Sequence, residues 1–366
     1  MVFLLDSGFW ILDTALMKIG LAGYSGSGVT TLLALLSEDI DLVNKHGGPE
    51  VRAISVDDPR LDRLMELFQP KKLTPLQVDV VELGDLRPQE GGGLRKETLV
   101  RAAGLDALVL VLRGFDAPTS EQCRSSGELD QELESLMQEF AIADLMPVEN
   151  RLERLGKEGK ISSREAQLLL RLKNTLEEGG PIRKMDLDKE ELRVLSGYNF
   201  LTLVPLIVIT NLGSDCMGKI MYQDLADRCS EDGITYIETP ALAEFEILEI
   251  PEEERAPFLA DLGIAESARI RFIKALFSQL RLVTFFTVSE KEVRAWTVAE
   301  KTPAVKAAGK IHTDMGRGFI RAEVISVDEC AALGGWSGAR EAGKLRVEGK
   351  DYVLKDGEIF QVRFNV

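Results

Sequence analysis

Apolar positions along the chain follow two rhythms, and their alternation sets the expected architecture. From Met17 the order is strand, glycine turn, helix: Lys18 to Ala22 is a short apolar run, Gly23 to Gly28 a turn, and Thr30 to Leu36 opens a helix. Val51 to Val56 is strand-like, and Asp58-Pro59 starts an amphipathic helix with Leu61, Leu64, Met65 and Phe68 at helical spacing. Gln77 to Leu83 reads as a further strand, followed by an acidic, glycine-containing stretch from Gly84 to Gly93. Leu105 to Leu112 and Leu203 to Thr210 are continuous apolar runs, the pattern of strands buried on both faces of a parallel sheet. Strands alternating with helices predict an α/β fold with a doubly wound, mainly parallel sheet.

Between those two core strands, over residues 117–200, the pattern turns helical and polar. Leu133, Leu136, Phe140, Leu145, Val148, Leu152 and Leu155 recur at threes and fours, and Ala166 to Leu176 repeats the spacing after a polar turn, Gly156 to Ser163. Two helices joined this way predict an antiparallel helical hairpin whose stripe is its own seam. From Leu282 short β-prone runs punctuated by Gly and Asp predict a small mixed β-rich domain. The expected division is therefore 17–116 with 201–282 as one domain, 117–200 as an insertion and 283–366 as the last domain. Residues 1–16 are apolar but hold Asp6 and Asp13 and lack an early Lys or Arg, so they suit neither a signal peptide nor a membrane span. They are expected to be an alternative or misassigned start, and the protein to be cytoplasmic with no membrane partner.

Composition narrows the chemistry. The formal net charge is −16, so contact with RNA requires a local basic patch. Lys306, Lys310, Arg317, Arg321, Arg340, Lys344 and Arg346 of the last domain are the candidates. Cys123, Cys216, Cys229 and Cys330 are widely spaced and only His46 and His312 accompany them, which excludes a zinc-site pattern. Reduced thiols are expected, and His312 is expected to be structural or partner-facing.

The segment Gly23-Tyr24-Ser25-Gly26-Ser27-Gly28-Val29-Thr30-Thr31 has the frame of a phosphate loop, G-x-x-x-x-G-K-[ST]. Glycines let the backbone aim N–H groups at phosphate, a helix N-terminus adds partial positive charge, and the Thr30 hydroxyl is placed to ligate Mg²⁺. Val29 stands where the lysine belongs, and losing that charge-assisted bond implies about a ten- to hundredfold weaker affinity. Asp79, three residues before Glu82, is placed to hold Mg²⁺ through water in a D-x-x-G frame, with Glu82 at its last position. Asn211, ending the second apolar run, is placed to bind a purine N7, with Ser214 where a carboxylate is usual and Asp215 one further. Each has a plain structural alternative, Asp79 as a strand-end turn former and Asn211 as a cap.

Three stretches, DPRLDRLMELFQPKK (Asp58 to Lys72), AIADLMPVENRLERL (Ala141 to Leu155) and IPEEERAPFLADLGI (Ile250 to Ile264), resemble the YchF-type, Obg-related P-loop NTPases. The C-terminal runs VRAWTV, AAGKIHTDMGRGFIRAEVI and GKLRVEGKDYVLKDGEIFQVRFNV are very similar to that family's TGS-like end, and the resemblance covers essentially everything after Met17. It implies a P-loop G domain interrupted by a helical hairpin and followed by a TGS-like domain. It also implies a preference for ATP over GTP, Mg²⁺ as cofactor, slow hydrolysis, and association with ribosomes. By position it assigns the phosphate cradle to Gly26, Ser27, Gly28, Val29, Thr30 and Thr31, places Leu212 near the base, and matches Leu83 to a hydrophobic residue after the D-x-x-G motif.

The departures are Val29 for lysine, Glu82 for the D-x-x-G glycine, Ser214 for a glutamate, no threonine in Ile40 to Val56, and a rewritten segment after Leu83. Two expectations follow: a weak nucleotide-binding protein and slow ATPase, or a scaffold that does not hydrolyse nucleotide and acts through its hairpin and last domain. Arg87 and Arg95 are the candidate surrogates for the missing lysine.

Overall fold

The computed structural model describes residues 2–5, 9–12, 17–44, 51–88, 93–116, 123–213, 216 and 222–365. The chain begins with a hairpin, β1 (Val2–Leu5) and β2 (Phe9–Leu12), paired antiparallel. It continues through β3 (Met17–Gly23), α1 (Val29–Ser37), β4 (Val51–Val56), α2 (Pro59–Phe68), β5 (Lys72–Thr74), β6 (Leu76–Asp85), α3 (Lys96–Arg101) and β7 (Ala107–Arg113). The helices α4 (Ser126–Lys157), α5 (Arg164–Glu177) and α6 (Lys189–Leu195) intervene before β8 (Leu206–Asn211). Then come α7 (Gln223–Glu231), β9 (Thr235–Thr239), α8 (Ala241–Ile247), α9 (Arg255–Asp261) and α10 (Ala268–Leu280). The last part is β10 (Leu282–Val288), β11 (Glu292–Ala299), α11 (Ala304–Ile311), α12 (Thr313–Arg317), β12 (Phe319–Ser326), α13 (Val327–Ala332), α14 (Trp336–Glu341), β13 (Arg346–Glu348) and β14 (Glu358–Phe364).

The fold is mixed α/β. One six-stranded sheet has the order β4-β6-β3-β7-β8-β9, and β3, β7, β8 and β9 pair parallel. Its centre is where the apolar runs lie: every residue of β8, and all of β7 but Arg113, is buried. A strand covered on both faces has no solvent side on which a polar residue is free, which is why these runs are uninterrupted. A second six-stranded sheet, β13-β12-β14-β10-β11-β5, is mixed, with β10/β11 antiparallel and β10/β14 parallel.

The chain divides into two compact units: Met17–Ile54 with Asp79–Gln279, and Met1–Leu16 with Ser55–Val78 and Leu280–Val366. This differs from the sequence division at residues 55–78. The amphipathic stripe of α2 explains it, because Leu61 and Leu64 are buried in one cluster with Phe286, Val293, Ile325 and Ile359. β5 likewise pairs parallel with β11. A stripe shows that a helix has a buried face, while its partner lies more than two hundred residues away.

The hairpin is present as α4 and α5, with Val148, Leu152 and Leu155 sharing a core with Ala166, Leu169, Leu172 and Leu176. Ser125 starts α4 with a reciprocal cap, its side chain accepting from Glu128 N–H and the Glu128 carboxylate accepting from Ser125 N–H. The first half of α4 is not part of that seam: Leu129, Leu133, Leu136 and Phe140 join the core of the parallel sheet. Where the helix passes from one core to the other, Asp144 accepts hydrogen bonds from Leu201 N–H, Thr202 N–H and the Thr202 hydroxyl at 2.7–2.8 Å. That carboxylate fixes the return chain just before β8.

The cysteines depart from expectation. Cys123 and Cys216 form a disulfide, while Cys229 and Cys330 are free and buried. Sequence spacing conceals the pair because the two residues are 93 positions apart. Among the described residues no helix is long and apolar enough to cross a membrane.

Two outcomes are expected. Unfolded without reductant, the protein should expose two reactive thiols to a thiol reagent, and four after reduction; four in both states would contradict the pairing. Burial pushes the Asp144 carboxyl up to about 6 despite its hydrogen bonds from Thr202 and Leu201, against about 4 in an unfolded chain. The folded state therefore holds this proton more tightly, so its contribution is full below about pH 4 and is lost as pH rises through 6. Asp144→Asn should lower stability by about 1–3 kcal/mol through lost acceptors and cannot titrate. In urea titrations the gap between the wild-type and variant should widen as pH falls from 7 to 4.

Candidate phosphate-binding site

The site is the turn from β3 into α1. Gly23 lies against the neighbouring strand so closely that a Cβ there would sit 2.6 Å from Val111 O. Gly28, the residue preceding α1, has φ 89° and leaves room for the Asn211 amide, whose nitrogen would be 2.2 Å from a Cβ at that position. Ser27 N–H closes the turn on Tyr24 O at 3.0 Å, and Leu32 N–H begins the helical ladder on Gly28 O. Leu32, Leu33 and Leu36 anchor α1 in the core. The first helical N–H groups, those of Val29, Thr30 and Thr31, have no partner within the helix, which makes the turn an anion-seeking end.

The acid that reaches this turn is Glu82. Thr30 donates its hydroxyl proton to the Glu82 carboxylate at 2.9 Å. Asp79, the residue expected there from the motif frame, lies three positions earlier on the same strand β6. Among the described residues the Thr30 hydroxyl is bonded to Glu82 and not to Asp79. The D-x-x-G frame is thus displaced, with Glu82 in the acid's place and Asp85 in the glycine's. The Asp85 carboxylate accepts from Ser25 N–H of the loop and Arg87 N–H, both at 3.1 Å. Burial works to raise the Asp85 pKa, but the Arg87 side chain and these N–H groups outweigh it and hold the carboxyl below the usual range. Arg87 is spent on this ion pair at 2.6 Å, and Arg95 is exposed ahead of α3. Leu83 is buried in the sheet core and does not face the loop.

Asn211 ends β8 beside the loop. It is 4% exposed; its amide nitrogen donates to Ser27 O at 2.9 Å and its oxygen accepts from Ala241 N–H at 3.1 Å. Through these two bonds it braces the loop against the start of α8. Leu212 is buried in the core, with its N–H bound to Thr239 O. Ser214 and Asp215 lie outside the described residues, as do residues 89–92 of the rewritten segment.

Beside the loop is a cleft of about 450 Å³ lined by Tyr24, Ser25, Ser27, Arg113, Arg124 and Glu128, among others. Ser27 is 1% exposed, and among the described residues its hydroxyl has no hydrogen-bond partner. Arg124 is committed to the Glu132 carboxylate and to Arg113 O. Arg113 went unnoticed in the sequence, although one signal was present: a lone cation closes an otherwise uniformly apolar strand.

In the last domain the seven basic residues do not form one free set. Arg346 pairs with Glu358 and Arg340 with Glu323, whereas Lys306, Arg317, Arg321 and Lys344 are exposed. His312 accepts from Asp314 N–H through Nδ1 at 3.2 Å, an N-terminal cap for α12.

Comparison with known proteins points to one family. The family model YchF-GTPase_C, described as a protein of unknown function (DUF933), matches residues 282–365. A protein of Haemophilus ducreyi named ribosome-binding ATPase YchF is 38% identical over 362 residues, covering 95% of this chain and 99% of its own length. Its namesake in Bacillus subtilis is 34% identical, covering 87% of this chain and 90% of its own. The solved structure of the Schizosaccharomyces pombe YchF GTPase superposes with a TM-score of 0.79 at 27% identity, covering 97% of this chain and 99% of that one.

Asp85 holds negative charge against a loop shaped for anions. Asp85→Asn keeps an oxygen to accept from Ser25 N–H but removes the charge. It should tighten binding of inorganic tripolyphosphate several-fold at low salt, measured by calorimetry, with the gain shrinking as salt is raised.

Proposed function

The chain belongs to the YchF family, and from that premise we propose that it binds a purine nucleoside triphosphate with Mg²⁺ at the β3–α1 loop. In this reading ATP is preferred over GTP, hydrolysis is slow at most, and the protein works in association with the ribosome. The observation that carries it is the Thr30–Glu82 contact next to a complete backbone cradle. Relatives named as ribosome-binding ATPases support the ribosomal part.

The donor set fits Mg²⁺: a hydroxyl and a carboxylate 2.9 Å apart supply hard oxygen ligands, with water and phosphate oxygens to complete an octahedron. Among the described residues no group of three or more His, Cys, Asp or Glu could hold a metal unaided, consistent with an ion that arrives with its nucleotide. When bound, the ion neutralises charge on the terminal phosphates. The rest falls to the chain itself. N–H groups from Gly28 to Thr31 cradle the phosphates, and Asn211 holds the loop in the shape that aims them. Asp85 gives up Ser25 N–H as the anion enters. Leu86, the residue that follows the displaced frame and is buried in the core, offers no group to orient water, which favours binding with slow turnover over rapid hydrolysis.

Calorimetry with ATP and with GTP, each with and without Mg²⁺, tests the reading. Micromolar binding that is tighter for ATP and strengthened by Mg²⁺ is expected, and Glu82→Ala should lose most of the Mg²⁺ dependence. No heat with either nucleotide, confirmed by equilibrium dialysis, would leave the non-hydrolysing scaffold as the function. Co-sedimentation with ribosomes at low salt tests the partner.

A further inference from the structure

We propose that Arg113 is the phosphate-binding cation of this site, standing in from the end of β7 for the lysine that position 29 lacks. The proposal rests on the reading of the β3–α1 loop as a polyphosphate site, and it adds the residue that makes such a site electrostatically workable.

The placement follows from strand pairing. β7 runs parallel to β3 with Val111 opposite Gly23, so the chain two residues further on emerges beside the loop that Gly23 begins. That residue is Arg113. Gly26 at the crest of the loop carries no side chain, and a Cβ built there would lie 3.7 Å from Arg113 Nη1. The guanidinium and the loop N–H groups therefore border the same cleft.

Two further observations separate this from an ordinary solvated arginine. Arg113 is half-buried, yet among the described residues its guanidinium makes no hydrogen bond or ion pair, whereas Arg124 beside it is tied to Glu132. Glu128, the other acid named in the lining, is held by the Ser125 N–H and hydroxyl. In the same cleft the Ser27 hydroxyl is almost fully buried and has no partner among the described residues. A buried hydroxyl without a partner and a cation without a counterion are both satisfied by an anion in the cleft. A guanidinium also suits the task, since its planar fork binds two phosphate oxygens at once where an ammonium acts as a point charge.

The test measures binding of inorganic tripolyphosphate, ATP and AMP to wild type, Arg113→Gln, Arg113→Lys and the double variant Arg113→Gln/Val29→Lys. Folding of each is checked by circular dichroism. Arg113→Gln should weaken tripolyphosphate and ATP about ten- to hundredfold and AMP far less. Arg113→Lys should fall between it and wild type. Val29→Lys should restore binding in the Gln background, because it returns a cation to the site from α1, which a merely structural role for Arg113 would not permit. If Arg113→Gln binds ATP and tripolyphosphate as tightly as wild type, the proposal is overturned and the nucleotide reading stands. If wild type binds tripolyphosphate in an Arg113-dependent way but no nucleotide, the anion site stands and the nucleotide reading falls. If wild type binds neither, both fall.

Discussion

The candidate site depends on one buried amide. Asn211 closes the most deeply buried strand of the parallel sheet and reaches from Ser27 O to Ala241 N–H. Glycine-rich backbone has many conformations open to it, so a loop such as 23–28 holds one shape only when something outside it supplies the constraint. Here the constraint is reciprocal. The amide needs the space that Gly28 leaves empty, and Gly28 adopts its left-handed conformation at no steric cost. A buried amide also resists exchange, because withdrawing it would strand a carbonyl and an N–H out of reach of water.

Around that fixed frame the charges have been rearranged rather than erased. Val29 opens α1 without a charge, an acid lodges on the loop at Asp85, and a carboxylate meets the Thr30 hydroxyl. The basic group that remains beside the loop comes from a strand, not a helix. Backbone geometry and side-chain electrostatics are thus set separately. The first is set by packing that the whole sheet enforces; the second rests on single positions that can change one at a time.

What the sequence disclosed follows the same division. The runs Leu105 to Leu112 and Leu203 to Thr210, the glycine turn and the hairpin seam were legible because each is a local pattern with one physical cause. The acid facing Thr30 was not, because motif spacing pointed to Asp79 while the Thr30 hydroxyl bonds to Glu82. Asn211 was recognised as important, but its bracing of the loop was not legible, since its partners at Ser27 and Ala241 are distant in sequence. Arg113 was passed over as the end of an apolar run, and α2 was assigned to the first sheet because a stripe does not name its partner.

The disulfide between Cys123 and Cys216 has a topological consequence. It joins the two ends of the excursion that carries α4, α5 and α6, so those helices and β8 belong to a closed covalent ring. A protease that cuts the polar turn between α4 and α5 would open that ring without dividing the molecule. Both halves would travel as one species until a reductant reached the bond, and the intact backbone would cease to be what holds the protein in one piece.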